Sequence, residues 1–255
     1  MTTDTQSLIE QKPHLKDPLE FYDKWQGFLK EAGLLLPSSV SENSSMDIQA
    51  YQPENVGAVF QLFASTFELP FEELEPLAKA LKSGQINYLS LPLGELPNLS
   101  LPINDDELAM ILFLFARPYF FALHEKCRLD DHEWKDGRCP LCSARPALAS
   151  IIEGPKRLLH CSYCGTTGSY RYLGCPNCGN RESAKLSSIM SDDEPGYRIS
   201  LCDECRTYVK SVDNSILKEM TADQADLASL PLDIVAQGKN YSRKAPNPIG
   251  LTKIE

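Results

Sequence analysis

Eight of the nine cysteines in this 255-residue chain fall into four Cys-x-x-Cys pairs: Cys139 with Cys142, Cys161 with Cys164, Cys175 with Cys178, and Cys202 with Cys205. A two-residue spacer lets the backbone turn back so that both sulfurs face one cation at about 2.3 Å, and two such turns complete a tetrahedron. Eight thiols in this pattern point to two four-sulfur metal sites. Pro140 and Pro176 stiffen two of the spacers, and Gly165 and Gly179 supply permissive backbone directly after the second cysteine; Ser143 and Arg206 stand there in the other two pairs. A lone pair would fit a thioredoxin-type dithiol equally well, but four pairs in two matching units favour metal.

The segments between the pairs indicate which of them share an ion. Eighteen residues separate Cys142 from Cys161 and read as a strand over 147–152, a turn at Glu153, Gly154 and Pro155, and a returning strand over 157–160. Twenty-three residues separate Cys178 from Cys202 and repeat the plan, with strands over 184–190 and 197–201 around a turn at 192–196. Pairs one and two should therefore hold the first ion and pairs three and four the second. Further strands over 169–173 and 207–212 make each unit a three-stranded ribbon. His124, His132 and His160 lie nearby in sequence, but eight cysteines already fill two tetrahedra, which leaves the histidines as surface or supporting groups. Four thiolates around a divalent ion leave a charge of about −2. Arg138, Arg145, Lys156, Arg157 and Arg171 surround the first site in sequence and would offset it. The spacing accepts zinc or a single iron.

Ahead of the cysteines the chain is chemically different. Residues 1–127 carry 8 Lys and Arg against 18 Asp and Glu, whereas residues 128–255 balance at 17 of each. A net charge of −10 and a pI near 5.0 exclude a protein whose whole surface grips nucleic acid or an anionic membrane. Residues 1–16 contain Asp4 and Glu10 and no apolar core segment, unlike a secretory or transit peptide, so a cytoplasmic, reducing location is the expectation, one that favours metal ligands over disulfides. The longest apolar run, 108–115, meets Arg117 and Pro118, and no membrane span is expected.

Helical spacing dominates from 17 to 126. Asp17 and Pro18 open a helix through Tyr22, Trp25, Phe28 and Leu29. After a polar loop at 38–45, Val56, Val59, Phe60, Phe63 and Phe67 mark a second helix and Leu74, Leu77 and Leu81 a third, separated near Pro70. Residues 86–102 read as an ordered loop. Asp105, Asp106 and Glu107 place negative charge on the first turn of an apolar helix that Pro118 kinks or divides. Arg117 needs a partner within that apolar surround or must reach solvent, and Cys127, alone, reads as a small buried residue rather than a nucleophile. Beyond the ribbons, Thr221 and Gln224 form a capping box before a short helix stopped or bent at Pro231, with Ile234 and Val235 continuing an apolar side and 246–250 forming a surface tail.

Taken in order, these motifs have a family likeness. Cys139-Pro140-Leu141-Cys142 with Arg145-Pro146, three further pairs, Cys202-Asp203-Glu204-Cys205 before Thr207-Tyr208-Val209-Lys210, then Asp226-Leu227-Ala228-Ser229-Leu230 and Asn247-Pro248, together resemble the FdhE family of formate dehydrogenase accessory proteins. The likeness runs through most of 117–250; before it, helical character and the Arg117-Pro118 pair align. Ser143 departs from the usual glycine after the first pair, Gly168 stands where many members carry a tryptophan, and Gln237 with Lys239 depart from the usual pattern before Tyr241.

The resemblance implies a cytoplasmic, non-catalytic maturation factor with rubredoxin-like metal binding that favours iron, in contact with the molybdenum-containing catalytic subunit of a formate dehydrogenase; a homodimer is compatible with it. The fold expected is α+β: a helical domain over 1–135, four-cysteine ribbons of rubredoxin-like or zinc-ribbon type over 136–172 and 173–215, and a short C-terminal helix and tail over 216–255. Two competing functions remain at this level. A zinc ribbon could bind nucleic acid or a transcription complex through the five basic residues and Tyr163, Tyr170 and Tyr172; a dithiol oxidoreductase would need free reactive thiols.

Overall fold

The computed structural model describes residues 4–36, 55–93, 96–127, 129–152, 154, 156–191 and 194–254. The polar loop at 38–45, and Glu153, Pro155, Asp192 and Asp193 of the two expected turns, lie outside them.

Among the described residues, five α-helices form the first part of the molecule: α1 (Thr5–Gln11), α2 (Lys16–Leu35), α3 (Val56–Thr66), α4 (Glu75–Lys82) and α5 (Asp105–Cys127). Helix α2 buries Leu19, Tyr22, Trp25, Phe28 and Ala32, one stripe at three- and four-residue spacing. It begins at Lys16, one residue ahead of the expected Asp17, with Leu15 at the cap position. Leu8 of α1 and Leu15 are both buried in the main core. Within 86–102 a short 3₁₀ segment, Tyr88–Leu93, gives part of the expected loop regular structure.

Helix α5 is central. It runs on through Pro118, and Phe113, Phe115, Tyr119 and Phe120 are buried on it. An edge-on aromatic contact joins it to α3, with Phe60 and Phe115 centroids 5.5 Å apart, and another joins α2 to α3, with Phe28 and Phe63 5.2 Å apart. By length and composition α5 could cross a membrane; here 67% of its most apolar window is buried within the protein.

The cysteine-bearing part builds six strands: β1 (Leu148–Ile151), β2 (Lys156–His160), β3 (Thr167–Arg171), β4 (Leu186–Met190), β5 (Tyr197–Cys202) and β6 (Thr207–Asp213). Each set of three is an antiparallel meander, as the sequence suggests. The two meanders are not separate ribbons, however. A parallel pairing of β1 with β6, Leu148 opposite Lys210 through Ile151 opposite Asp213, joins them into one sheet of order β3-β2-β1-β6-β5-β4.

The C-terminal segment covers one face of that sheet with two helices rather than one, α6 (Ala222–Ala228) and α7 (Leu230–Gly238). The capping box at Thr221 and Gln224 is present. Pro231 opens α7 instead of stopping a helix, since its missing N–H is not needed in a first turn. Ile234 and Val235 do not continue the apolar side; they are 52% and 41% exposed.

Beneath these helices lies a fully buried group of four charges. Lys210 Nζ pairs with Asp226 at 2.7 Å and Asp233 at 2.5 Å, and Arg243 binds the same two carboxylates, its Nη1 lying 3.1 Å from Asp233. Tyr208 donates to Asp233 at 2.6 Å, and Arg243 Nε donates to the Ala245 carbonyl at 2.6 Å. Burial opposes ionisation of Asp226, but Arg243 and Lys210 overcome it and hold its carboxyl below the ordinary range. The tail is likewise inside: Ala245, Asn247 and Ile249 are buried, contrary to the surface placement expected for 246–250.

Two positive and two negative groups balance, so removing one strands a buried charge. Lys210→Met or Asp233→Asn should each lower unfolding free energy by about 3–5 kcal/mol in urea titrations, and the double variant should lose less than the sum.

Candidate metal centres

The eight paired sulfurs gather into two quartets, Cys139, Cys142, Cys161 and Cys164, and Cys175, Cys178, Cys202 and Cys205, each with its sulfurs within 4.8 Å of one another. In the first, Cys139 lies 3.5 Å from Cys164 and Cys142 lies 3.4 Å from Cys161. In the second, Cys175–Cys205 and Cys178–Cys202 are both 3.7 Å. A regular tetrahedron with metal–sulfur bonds of about 2.3 Å has edges of about 3.8 Å. The donor set and its spacing therefore fit one cation per quartet.

Local backbone chemistry creates this convergence. After the second cysteine of each pair the chain enters the left-handed region, with φ of 63° at Ser143, 76° at Gly165, 78° at Gly179 and 53° at Arg206. The turn back is closed by amide hydrogen bonds onto the first cysteine: Ser143 N to Cys139 O at 2.9 Å, Gly165 N to Cys161 O at 3.0 Å, and Gly179 N to Cys175 O at 2.9 Å. Glycine adopts this conformation without strain. Arg206 is held there by other contacts, to Asp203 at 3.0 Å, to the Lys239 carbonyl at 3.0 Å, and over the Tyr241 ring at 4.1 Å.

The quartets differ in their surroundings. All four sulfur-bearing residues of the first are buried, and Tyr163 between Cys161 and Cys164 packs edge-on against Phe113 of α5 at 4.7 Å. In the second, Cys178 is exposed and Cys205 half-buried. Burial, reinforced by neighbouring sulfurs, pushes the Cys142 and Cys161 thiols well above their ordinary range. Burial also raises Cys175. Four thiolates coexist in such a space only with a cation among them, and cation binding would release the protons.

Residues 159–249 match the family model for the FdhE C-terminal domain. An FdhE homologue of Aquifex aeolicus is 29% identical over 152 residues, 58% of this chain and 54% of that protein. An FdhE homologue of Shewanella oneidensis is 35% identical over 116 residues, 44% of this chain and 37% of the relative, and FdhE of Escherichia coli is 27% identical over 79% of this chain and 62% of its own length. The aligned region thus spans roughly a third to two thirds of these curated relatives. The crystal structure of the FdhE protein from Pseudomonas aeruginosa shares the fold, with a TM-score of 0.52 at 22% identity over 88% of this chain and 70% of the other. Residues 159–249 are thus similar to an FdhE C-terminal domain, and likeness to FdhE proteins extends over most of the chain.

Several residues outside the cysteine pairs sit differently from their sequence positions. Arg145 and Arg157 do not attend the first quartet; Arg145 donates to the Pro176 carbonyl at 2.9 Å and Arg157 to the Gly174 carbonyl at 2.7 Å, both beside the third pair. Chain reversal from β2 into β3 brings the third pair back beside them. Arg138 does stay with the first pair, donating to the Ser143 carbonyl at 2.9 Å. Arg171 lies over the Tyr170 ring at 5.0 Å, and Lys156 is exposed. None of the three histidines is grouped with a quartet. His124 pairs with Asp130 at 2.7 Å and His132 contacts the Asp130 carbonyl. His160 is buried between Ser150 and Thr167, and burial lowers its pKa to about 4. Cys127 stands apart, half-buried.

Two sulfur neighbours escaped sequence reasoning. The Thr166 hydroxyl lies 3.0 Å from Cys164 Sγ and the Thr207 hydroxyl 3.0 Å from Cys205 Sγ. A repeated Cys-x-Thr after the second and fourth pairs was the available signal. Trp134 is also close; fully buried, it fills the space beside Gly168, where a Cβ would come within 2.4 Å of the indole. Of the three tyrosines offered for base stacking, Tyr163 and Tyr170 are buried, which removes the aromatic platform that nucleic-acid binding would use.

Unequal burial makes the two quartets unequal in the fold. Cys178→Ser should leave far-UV circular dichroism unchanged and the thermal midpoint within a few degrees, whereas Cys142→Ser should yield little soluble protein. Equal losses in both would contradict the difference.

Proposed function

We propose that the chain is an accessory factor for formate dehydrogenase maturation, holding two metal ions through Cys139, Cys142, Cys161, Cys164, Cys175, Cys178, Cys202 and Cys205 and docking on the molybdenum-containing catalytic subunit. The observation that carries it is the gathering of all eight sulfurs into two tetrahedron-sized quartets on a sheet of the FdhE fold. The role is assembly rather than turnover. Iron, the ion favoured by family resemblance, would supply one-electron chemistry, whereas zinc would supply structure alone.

The chain's own residues define what each part does. The first quartet joins the helical part to the sheet, since Tyr163 packs against both Phe113 and Phe120 of α5. Arg117 reinforces that junction: its side chain, fully buried, pairs with Asp223 at 2.5 Å, donates to the Pro248 carbonyl at 2.9 Å and lies over Trp25 at 3.7 Å. The second quartet, with Cys178 exposed, is the one a client can approach. The cytoplasm, where cofactor-bearing subunits are assembled, is the compartment that keeps such thiols reduced.

Size-exclusion chromatography without oxygen tests the proposal. The purified catalytic subunit should coelute with the wild-type chain and separate from Cys175→Ala/Cys178→Ala. Absence of a wild-type complex would overturn the accessory role, and equal complexes would overturn docking through the second quartet.

A further inference from the structure

The two quartets are built on one backbone plan, so a side chain beside one has a counterpart beside the other. In both, the amide of the first cysteine donates to a carbonyl beyond its own turn: Cys139 N to Ala144 O at 2.9 Å, and Cys175 N to Asn180 O at 2.8 Å. Ala144 and Asn180 are therefore equivalent positions. Within the spacers Leu141 matches Asn177, and after the second turn of each quartet Thr166 matches Thr207. The threonines are the same, each hydroxyl 3.0 Å from the last sulfur of its quartet, Cys164 or Cys205. The other two positions differ: Leu141 and Ala144 are buried in the main core, whereas the second quartet carries two asparagines.

Both asparagines turn an amide N–H toward the second quartet. Asn177 Nδ2 lies 2.9 Å from Thr207 Oγ1, and Asn180 Nδ2 lies 3.9 Å from Cys202 Sγ while its Oδ1 accepts from Glu182 N at 3.1 Å. The contact with Thr207 fixes a direction. A thiolate can only accept, so the Thr207 hydroxyl, 1% exposed, donates to Cys205 and its oxygen is left to accept. Asn177 supplies the N–H that fills that place, which keeps the hydroxyl proton aimed at the sulfur. Leu141 has no N–H to offer Thr166. The asymmetry follows exposure: the first quartet is buried, whereas Cys178 is exposed and Cys205 half-buried. Protons compete with a cation for sulfur, so the quartet open to water is the one that gains from donors fixing its thiolates.

We propose that Asn177 and Thr207 are positioning residues of the second centre, forming a relay from Asn177 Nδ2–H through Thr207 Oγ1–H to Cys205 Sγ that retains the cation of the exposed quartet. Asn180 assists at Cys202. The two centres are thereby unequal in electronic character as well as in burial. The relay rests on the two-ion reading above and is independent of client docking.

The full chain, produced in cobalt-supplemented medium and purified without oxygen, tests it by sulfur-to-cobalt charge-transfer absorption during a challenge with EDTA. The wild type should hold two cobalt ions. Thr207→Val should lose one of them about tenfold faster and the other within about twofold of the wild-type rate. The charge-transfer band of the faster site should lie at lower energy, because its sulfur has lost a donor. Thr207→Ser should restore both rate and band. Asn177→Leu, which gives the second quartet the first quartet's residue, should move the band in the same direction by a smaller amount. Thr207→Val matching the wild type, Thr207→Ser failing to restore it, or Asn177→Leu leaving the band unmoved would overturn the relay and leave the two ions standing. Fewer than two ions in the wild type would overturn the two-ion reading and the relay with it.

Discussion

Four thiols drawn together in a buried space are an unstable arrangement by themselves. Lost hydration and neighbouring sulfurs oppose the thiolates of Cys142 and Cys161, which resist ionisation. A divalent cation reverses that balance, turning mutual repulsion into shared coordination, and its binding energy becomes folding energy. The rest of the cysteine-bearing half follows from meeting this constraint twice. In each meander the Cys-x-x-Cys turn ahead of the first strand meets the one between the second and third, and the parallel β1–β6 pairing fuses the meanders, so that neither quartet sits on an isolated ribbon.

The helical part and the C-terminal segment stabilise that arrangement from opposite sides. Through Tyr163 the first quartet is continuous with the aromatic core around α5, while Arg117 ties α5 to Asp223 and to the tail at Pro248. On the other face Lys210 and Arg243 hold Asp226 and Asp233 in a closed set of charges, worth more as geometry than as net stability. The residues that carry the family resemblance divide accordingly: the cysteine pairs gather sulfur, whereas Arg117, Tyr208, Lys210, Asp226, Ser229 and Pro248 join the parts. Ser229, for example, accepts Lys210 through its carbonyl at 3.3 Å.

Local information made the hairpins legible. Spacer lengths, turn residues and alternating side chains are short-range signals, so β1, β2, β5 and β6 fall within about two residues of expectation, and the pairing of the Cys-x-x-Cys turns follows from them. The aromatic stripes of α2, α3 and α5 were equally readable. What escaped depends on contacts distant in sequence. Nothing near Pro246 announces that Arg117, more than a hundred residues away, will draw the tail inside. Arg145 and Arg157 are close in sequence to the first quartet, but the path of the sheet places them against the third pair. Pro231 was ambiguous for a different reason, because proline ends one helix and begins another with equal ease.

X-ray absorption at the metal edge, on protein purified without oxygen and analysed for metal content, addresses the central claim most directly. Two ions per chain should be found, each surrounded by four sulfurs at about 2.3 Å. A single ion, a shell containing nitrogen or oxygen, or metal-free protein with the cysteines oxidised in pairs would contradict it.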